Sequence, residues 1–371
     1  MASLYFHIPF CRHKCIYCSF FSTPLSYDKD LYTDCLIKEL TLRKDFIDKN
    51  IETIYFGGGT PSLLPIKNVE KIFNCIERNF NISDVKEVTF EINPENADKN
   101  YLQSLKTVGI NRLSIGIESF DKEDLRYLNR SHTSEESFMS VENALSVGYS
   151  NISIDLISNL PFSSFDKWKR NLDEFLKFDL PHISCYTLMI EEGTMLKKLV
   201  DKGKYSPVSE QRAVEEADYT IDTLESHGYK HYETSSFAKD GFVSMHNTAY
   251  WTFKPYLGVG AGAHSFDTLC RTWNENDIKA YTDRIISNQA DAVFQKEILT
   301  AKDKYNEYVM LSARMSCGPD PAYVKKHFSQ YYGHFVKQVN KLIAQNLLNK
   351  DCSLTRSGWH LQDALILELA V

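Results

Sequence analysis

Six times in the first 190 residues a short run of β-branched and aromatic side chains precedes a longer, helix-like pattern. The runs are Leu4–Ile8, Thr53–Phe56, Val85–Ile92, Arg112–Ile117, Ile152–Ile157 and Ile183–Leu188. Between them lie amphipathic stretches, among them Lys29–Asp48, Ile66–Asn79, Ser134–Val147 and Phe165–Phe178. Parallel strands cannot be joined by hairpins; each return needs a crossover, usually a helix, so this alternation constrains the chain to an α/β fold with a parallel sheet. Six units fall short of the eight that close a full barrel. The expectation is a partial (β/α)6 barrel over residues 1–190, with an open sheet as the alternative.

The pattern then changes. Residues 191–300 are less regular and are expected to form an α/β extension, with a long helical stretch from Ser209 to His227 and the Gly/Ala-rich segment Leu257–His264. From residue 301 to 371 the periodicity is mainly helical, in Lys302–Arg314 and Gln330–Asn346. A turn or small hairpin near Leu354–Gly358 and a last helix over Trp359–Leu369 give a winged-helix-like outline. No stretch approaches the 18 consecutive apolar residues of a membrane span. The start of the sequence lacks a basic segment followed by a long apolar run, so a removable signal peptide is not expected and the chain is expected to be cytoplasmic. Lys and Arg number 42 against 49 Asp and Glu, a formal charge of −7, which argues against a general nucleic-acid binder.

Cysteine placement narrows the chemistry. Of nine cysteines, three fall at Cys11, Cys15 and Cys18, a C-x3-C-x2-C spacing, and the other six are scattered singly. An odd count with this clustering is not a disulfide framework. Structural zinc wants four ligands, often as two separated pairs, and no second pair exists. A redox pair of Cys15 and Cys18 would leave Cys11 idle. Three thiolates suffice to hold three irons of a [4Fe-4S] cluster and leave the fourth iron open. The six solitary cysteines are expected to be buried thiols.

Cys11-Arg-His-Lys-Cys15-Ile-Tyr17-Cys18 after a first strand resembles the signature of the radical S-adenosylmethionine (SAM) superfamily. That resemblance implies a partial, TIM-like barrel with the cluster on the loop after the first strand. The open iron would chelate the amino and carboxylate groups of SAM, and an electron from the cluster would cleave SAM to methionine and a 5′-deoxyadenosyl radical. Phe56-Gly57-Gly58-Gly59-Thr60-Pro61 is, on its own, a tight turn as readily as a site. It lacks the Gly-Lys-Ser/Thr ending of a phosphate loop. Within the resemblance, Gly58, Gly59 and Thr60 match the segment that meets the SAM amino group. Glu91 and Asp155 end the third and fifth strands, where carboxylates face a barrel mouth. The resemblance directs them to ribose, sulfonium, adenosine or substrate. It also implies Arg130 for the SAM carboxylate, and Tyr5, Tyr17 and Met189 near the cluster and adenine. Arg130 alone reads equally as a surface helix residue, and Met189 alone as core packing. Two departures stand out: Glu118 where relatives carry Gln, which costs an amide donor, and the absence of Tyr-Gly before Leu160-Pro161.

Tyr5-Phe-His7-Ile-Pro-Phe-Cys11, the glycine run and His182-Ile-Ser-Cys-Tyr186 bring the resemblance to one branch, which holds oxygen-independent coproporphyrinogen III oxidase and its shorter relatives, the haem chaperones. The decarboxylase carries a further cysteine where Phe20 stands here. The chaperones carry the H-n-x-x-Y-W segment found at His246-Asn-Thr-Ala-Tyr250-Trp251. The resemblance therefore implies haem as cargo, an apo-haemoprotein such as a respiratory cytochrome as recipient, and a reductant for the cluster. A membrane-bound recipient would draw the chain to a membrane surface. SAM cleavage is an open question, and oxidative decarboxylation of coproporphyrinogen III is the competing reading. His246, Tyr250 and Trp251 are the haem candidates, with a turn-capping histidine and core aromatics as the alternative.

Overall fold

The computed structural model describes residues 2–24, 26–287 and 293–371. Six parallel strands stand side by side in sequence order: β1 (Ala2–Ile8), β2 (Ile51–Gly58), β3 (Glu87–Ile92), β4 (Arg112–Glu118), β5 (Asn151–Ser158) and β6 (His182–Thr187). The connections carry helices α1 (Lys29–Leu42), α2 (Ile66–Asn79), α3 (Lys99–Val108), α4 (Lys122–Leu128), α5 (Ser134–Ser146) and α6 (Phe165–Lys177). Helix α1 stops before its periodic pattern runs out, because Phe46 N–H closes a turn on Arg43 O.

Strand alternation sorts the side chains onto two faces. Leu4, Phe6, Ile54, Phe56, Val88, Phe90, Leu113, Ile115, Ile152 and Ile154 are buried in the large core that the helices share. The opposite face, inside the barrel, is polar: Ser3, Tyr5 and His7; Thr53 and Tyr55; Glu87, Thr89 and Glu91; Arg112 and Ser114; Ser153 and Asp155; His182 and Ser184. Many of these groups bond to one another, as burial requires. Thr53 Oγ1 donates to Ser3 Oγ at 2.8 Å, and Ser153 Oγ and His182 Nδ1 lie 2.7 Å apart.

The sheet continues past the six units on both sides. After α7 (Met195–Asp201) and α8 (Glu210–Ser226), β7 (Lys230–Glu233) and β8 (Ser236–Ala238) extend it beyond β6. Helix α9 (Met245–Trp251) leads to β9 (Tyr256–Val259), a seventh parallel strand that pairs with β1. Strands β10 (His264–Phe266), β11 (Cys270–Asn274) and, after α10 (Ile278–Ile286), β12 (Val293–Ile298) follow antiparallel. The strand order is β12-β11-β10-β9-β1-β2-β3-β4-β5-β6-β8-β7, an open, partly wound barrel of twelve strands among the described residues. The sheet thus runs on across residue 190, which lies in the loop after β6. The Gly/Ala-rich segment starts as strand β9 and then turns, at Gly260 with φ 111°, into the β10 hairpin.

Helices α11 (Ala301–Ser312), α12 (Pro321–His327), α13 (Tyr332–Ala344), α14 (Arg356–His360) and α15 (Gln362–Leu369) close the chain. Leu348 and Leu354 make a short antiparallel bridge between α13 and α14. Tyr305, Val309, Val324, Phe335, Leu342 and Leu365 form a second core that takes in Phe253 and Phe266, so this helical region packs directly on β10 and the end of α9. No helix among the described residues is long and apolar enough to cross a membrane.

Candidate cluster and cofactor site

The C-terminal ends of β1–β6 open into a chamber of about 480 Å³. Cys11, Cys15 and Cys18 line it on the loop after β1, where Phe10–Cys11 pairs with Thr23–Pro24 to tie the loop down. Tyr17, Gly58, Gly59, Thr60, Glu91, Glu118, Arg130, Asp155 and Met189 line it as well. Met189 is 67% exposed at the rim, which removes it from the core. Tyr5 is the exception. It does not line this chamber; its ring borders a neighbouring cavity and its hydroxyl lies 3.0 Å from His7 Nδ1.

The three thiols are half-buried and free. Burial pushes the Cys18 thiol up to about 11, helped by Cys15 and Cys11 nearby, and burial also raises Cys11. A bound cation reverses that logic by holding the thiolates ionised. No three His, Cys, Asp or Glu side chains among the described residues gather closely enough for a single metal ion. The thiols share a chamber without converging on one point, which suits separate irons of a cluster and not structural zinc. Of the six solitary cysteines, Cys35, Cys75, Cys270 and Cys352 are buried as expected; Cys185 is half-buried and Cys317 is exposed.

The glycine run makes a cradle. A Cβ on Gly59 would sit 2.8 Å from Phe10 O and 3.0 Å from Cys11 Sγ. Gly58 has φ 119°, and a Cβ there would meet the His7 ring at 2.7 Å. Only glycine lets this backbone approach both the cysteine loop and a ligand. Gly58 N–H donates to Glu91 Oε2 at 3.0 Å and Tyr55 Oη donates to Glu91 Oε1 at 2.8 Å. Burial, with Asp155 and Glu118 near, raises Glu91 to about 7 despite those bonds. Burial and Glu118 raise Asp155 to about 7. Tyr55 was not foreseen from sequence; its signal was the period-two alternation that places it on the polar face beside Glu91.

Arg130 lines the chamber with a buried side chain and does not sit on the outer face of a helix. Its Nη2 donates to Gly116 O at 2.7 Å, its Nη1 lies 3.6 Å from Cys15 Sγ, and it pairs with Glu118 at 3.5 Å. Glu118, at φ 64°, thus has the Arg130 guanidinium beside its carboxylate. Arg130 Nε and Asp155 Oδ1 are buried without a hydrogen-bond partner. Orphaned polar atoms in a chamber of this size fit a polar ligand such as SAM, and the thiol set fits the cluster.

The expected haem residues lie elsewhere. Helix α9 plugs the opposite end of the barrel, with Met245 and His246 N–H groups both donating to Glu87 at 2.9 Å. Thr53 spends its hydroxyl proton on Ser3, so it accepts from His246 Nδ1–H at 2.8 Å, and His246 Nε2 must accept from Tyr250 Oη at 2.9 Å. Both ring nitrogens are engaged in a buried site that holds the imidazole neutral, with burial driving it down to about 3. In this arrangement the Nε2 lone pair of His246 is taken up by Tyr250 Oη. Tyr250 borders the second cavity, whereas Trp251 does not.

That second cavity, about 670 Å³, runs along β1, β9, β10 and β11 and is covered by α11. Ser19 and Phe20 border both chambers.

Residues 5–175 match the model of the radical SAM superfamily. The chain is 32% identical over 354 residues to the Heme chaperone HemW of Lactococcus lactis, covering 94% of this chain and 91% of that one. It is likewise 32% identical to the Heme chaperone HemW of Bacillus subtilis over 94% and 92% of the two chains. Among solved structures, Escherichia coli coproporphyrinogen III oxidase (HemN), a radical SAM enzyme, superposes with a TM-score of 0.84 at 23% identity, over 100% of this chain and 90% of that one; the likeness is one of fold. The chain belongs to the radical SAM superfamily and, within it, to the family of the HemW proteins.

Proposed function

We propose that this chain is a haem chaperone that takes up haem beside a radical SAM centre and passes it to apo-haemoproteins. The observation that carries the reading is likeness, over more than nine-tenths of both chains, to proteins named Heme chaperone HemW. Phe20 supports it: 67% exposed between the two chambers, it gives a flat apolar surface where the decarboxylase has a thiol. The chain acts in the cytoplasm, receives electrons from a separate reductant, and reaches membranes through its recipients.

Cys11, Cys15 and Cys18 would hold the cluster, and the backbone of Gly58–Thr60 would meet the amino group of SAM. When bound, the reduced cluster supplies one electron for cleavage of the SAM carbon–sulfur bond. The protein's own part is positioning. Arg130 holds Glu118 in place and puts positive charge next to Cys15. Glu91, fixed by Tyr55 and Gly58, and Asp155, 3.3 Å from Ser114 Oγ, present acceptors to ribose hydroxyls or the sulfonium.

The test is anaerobic reconstitution with iron and sulfide, followed by two arms. Haem titration should give a shifted Soret band and transfer of haem to an apo-cytochrome. Incubation with coproporphyrinogen III, SAM and a reductant should give no protoporphyrinogen; its formation would overturn the chaperone reading.

A further inference from the structure

The 670 Å³ cavity is lined by none of Cys11, Cys15, Cys18, Gly58 or Gly59. Its volume lies within the roughly 300–1,000 Å³ of small-molecule sites. Its walls are flat and aromatic: Tyr5, Phe20, Tyr256, Phe266 and Trp273. Register explains why they converge. Ser3 pairs with Tyr256, Tyr256 with Phe266, Phe266 with Arg271 and His264 with Trp273, so alternate residues of β1 and β9–β11 face one side.

His264 stands in this wall. It is exposed, lies 5.8 Å from Trp273 with the rings nearly parallel, and makes no hydrogen bond through either ring nitrogen among the described residues. This is the reverse of His246. A neutral imidazole with a free lone pair is the side chain that ligates haem iron, and burial together with Arg271 shifts His264 toward the neutral form. Arg271 lies over the Phe266 ring and pairs with Glu307 of α11, but its buried Nε has no partner. A carboxylate entering beside it would satisfy that donor.

We infer that this cavity is the haem site, with His264 as the iron ligand, the aromatic walls against the porphyrin faces, and Arg271 receiving a propionate. The inference rests on the chaperone reading and adds the location and the ligand. The shared lip at Ser19–Phe20 then puts the cargo directly beside the cluster chamber.

Haemin titrated into the reconstituted full-length protein tests it, followed by Soret absorption and by the electron paramagnetic resonance signature of the ferric ion. His264→Ala should weaken binding by about 10-fold or more, the scale of losses when metal coordination is disturbed, and should change the axial signature. Added imidazole should restore that signature. His246→Ala should keep it. Unchanged spectrum and affinity in His264→Ala, with wild-type protein binding haemin, would overturn the ligand assignment while leaving the chaperone reading intact. Wild-type protein that does not bind haemin would instead remove the chaperone reading itself. Iron–sulfur absorption in each variant reports that the fold is preserved, and Arg271→Gln supplies an independent variant expected to weaken binding without altering the axial signature.

Discussion

Glu39 lies on α1, fully buried, and it joins the barrel to the wall of the second cavity. Its Oε1 accepts from Arg43 Nη1 at 2.8 Å and Asn274 Nδ2 at 2.7 Å; its Oε2 accepts from Gly260 N–H at 2.8 Å and Tyr281 Oη at 2.7 Å. Arg43 goes on to Gly258 O, Ser265 and Thr272. Replacing Glu39 by Ala leaves the Arg43 guanidinium buried without its counter-charge and three other donors unmade. Losing one partner of a buried pair costs about 3–5 kcal/mol. At an unfolding entropy of roughly 2.1 cal/mol/K per residue, 371 residues give about 0.8 kcal/mol/K, so the melting temperature should fall by about 4–6 °C. Far-UV circular dichroism melts measure it, with Glu39→Gln expected to lose less because one carbonyl acceptor remains. Haemin binding should weaken in parallel, since the network pins Gly258–Asn274. A Glu39→Ala melt within about 1 °C of the parent would refute the claim that this pair holds the sheet extension in place.

Cys11→Ala, Cys15→Ala and Cys18→Ala should each abolish the visible iron–sulfur absorption after reconstitution; retention in all three would sink the cluster assignment. Gly59→Ala pushes a methyl into Phe10 O and Cys11 Sγ, so iron bound per chain should fall, and full iron loading would contradict the cradle. Glu91 and Asp155 have folded values near 7, above their ordinary 4.5 and 3.8, so the stability they contribute is present at low pH and is lost as pH rises through about 7. The melting-temperature difference between metal-free parent and Glu91→Gln should therefore move against the parent as pH rises from about 5 to about 7.5; a difference that does not change with pH would remove Glu91 as a contributor. His246→Ala should destabilise by about 1–3 kcal/mol through the unpaired Thr53 and Tyr250 groups, read as a lower melting temperature with unchanged iron loading.

The six-unit core was legible because each strand needs an apolar face for its helices, and the runs around Phe6, Phe56, Phe90, Ile115, Ile154 and Ile183 announce it. The cysteine spacing and glycine run were legible for a similar reason: thiolate geometry and close backbone approach tolerate few substitutes. What was hidden depends on contacts distant in sequence. Strand β9 is only four residues long, and its pairing with β1 and β10 makes it a strand. Tyr5 and His246 belong to motifs that suggest cofactor contact, but motif membership does not say which face of a strand or which end of a barrel a side chain occupies. His264 sat in plain view beside the Gly/Ala segment; its open nitrogens follow from a hairpin register that the sequence does not display.

His7 explains why two chambers can share one barrel. Phe21 O can only accept, so His7 Nε2 carries the proton toward it at 3.3 Å, and Nδ1 accepts from Tyr5 Oη at 3.0 Å. Burial lowers His7 to about 4, which keeps this neutral tautomer through the neutral range. The same ring fills the space above Gly58 that a side chain there would need. One imidazole thus touches the glycine cradle of the cluster chamber, the loop that ends in Phe20 and Phe21, and the Tyr5 wall of the aromatic cavity. Because a packed interior shifts as discrete contacts and not as a fluid, a ligand that moves Phe21 must also act on His7 and, through it, on Gly58. The His7 partition is therefore a second physical link between the chambers, beside the shared lip at Ser19–Phe20, and occupancy of the aromatic cavity and geometry at the cysteine loop should not be independent.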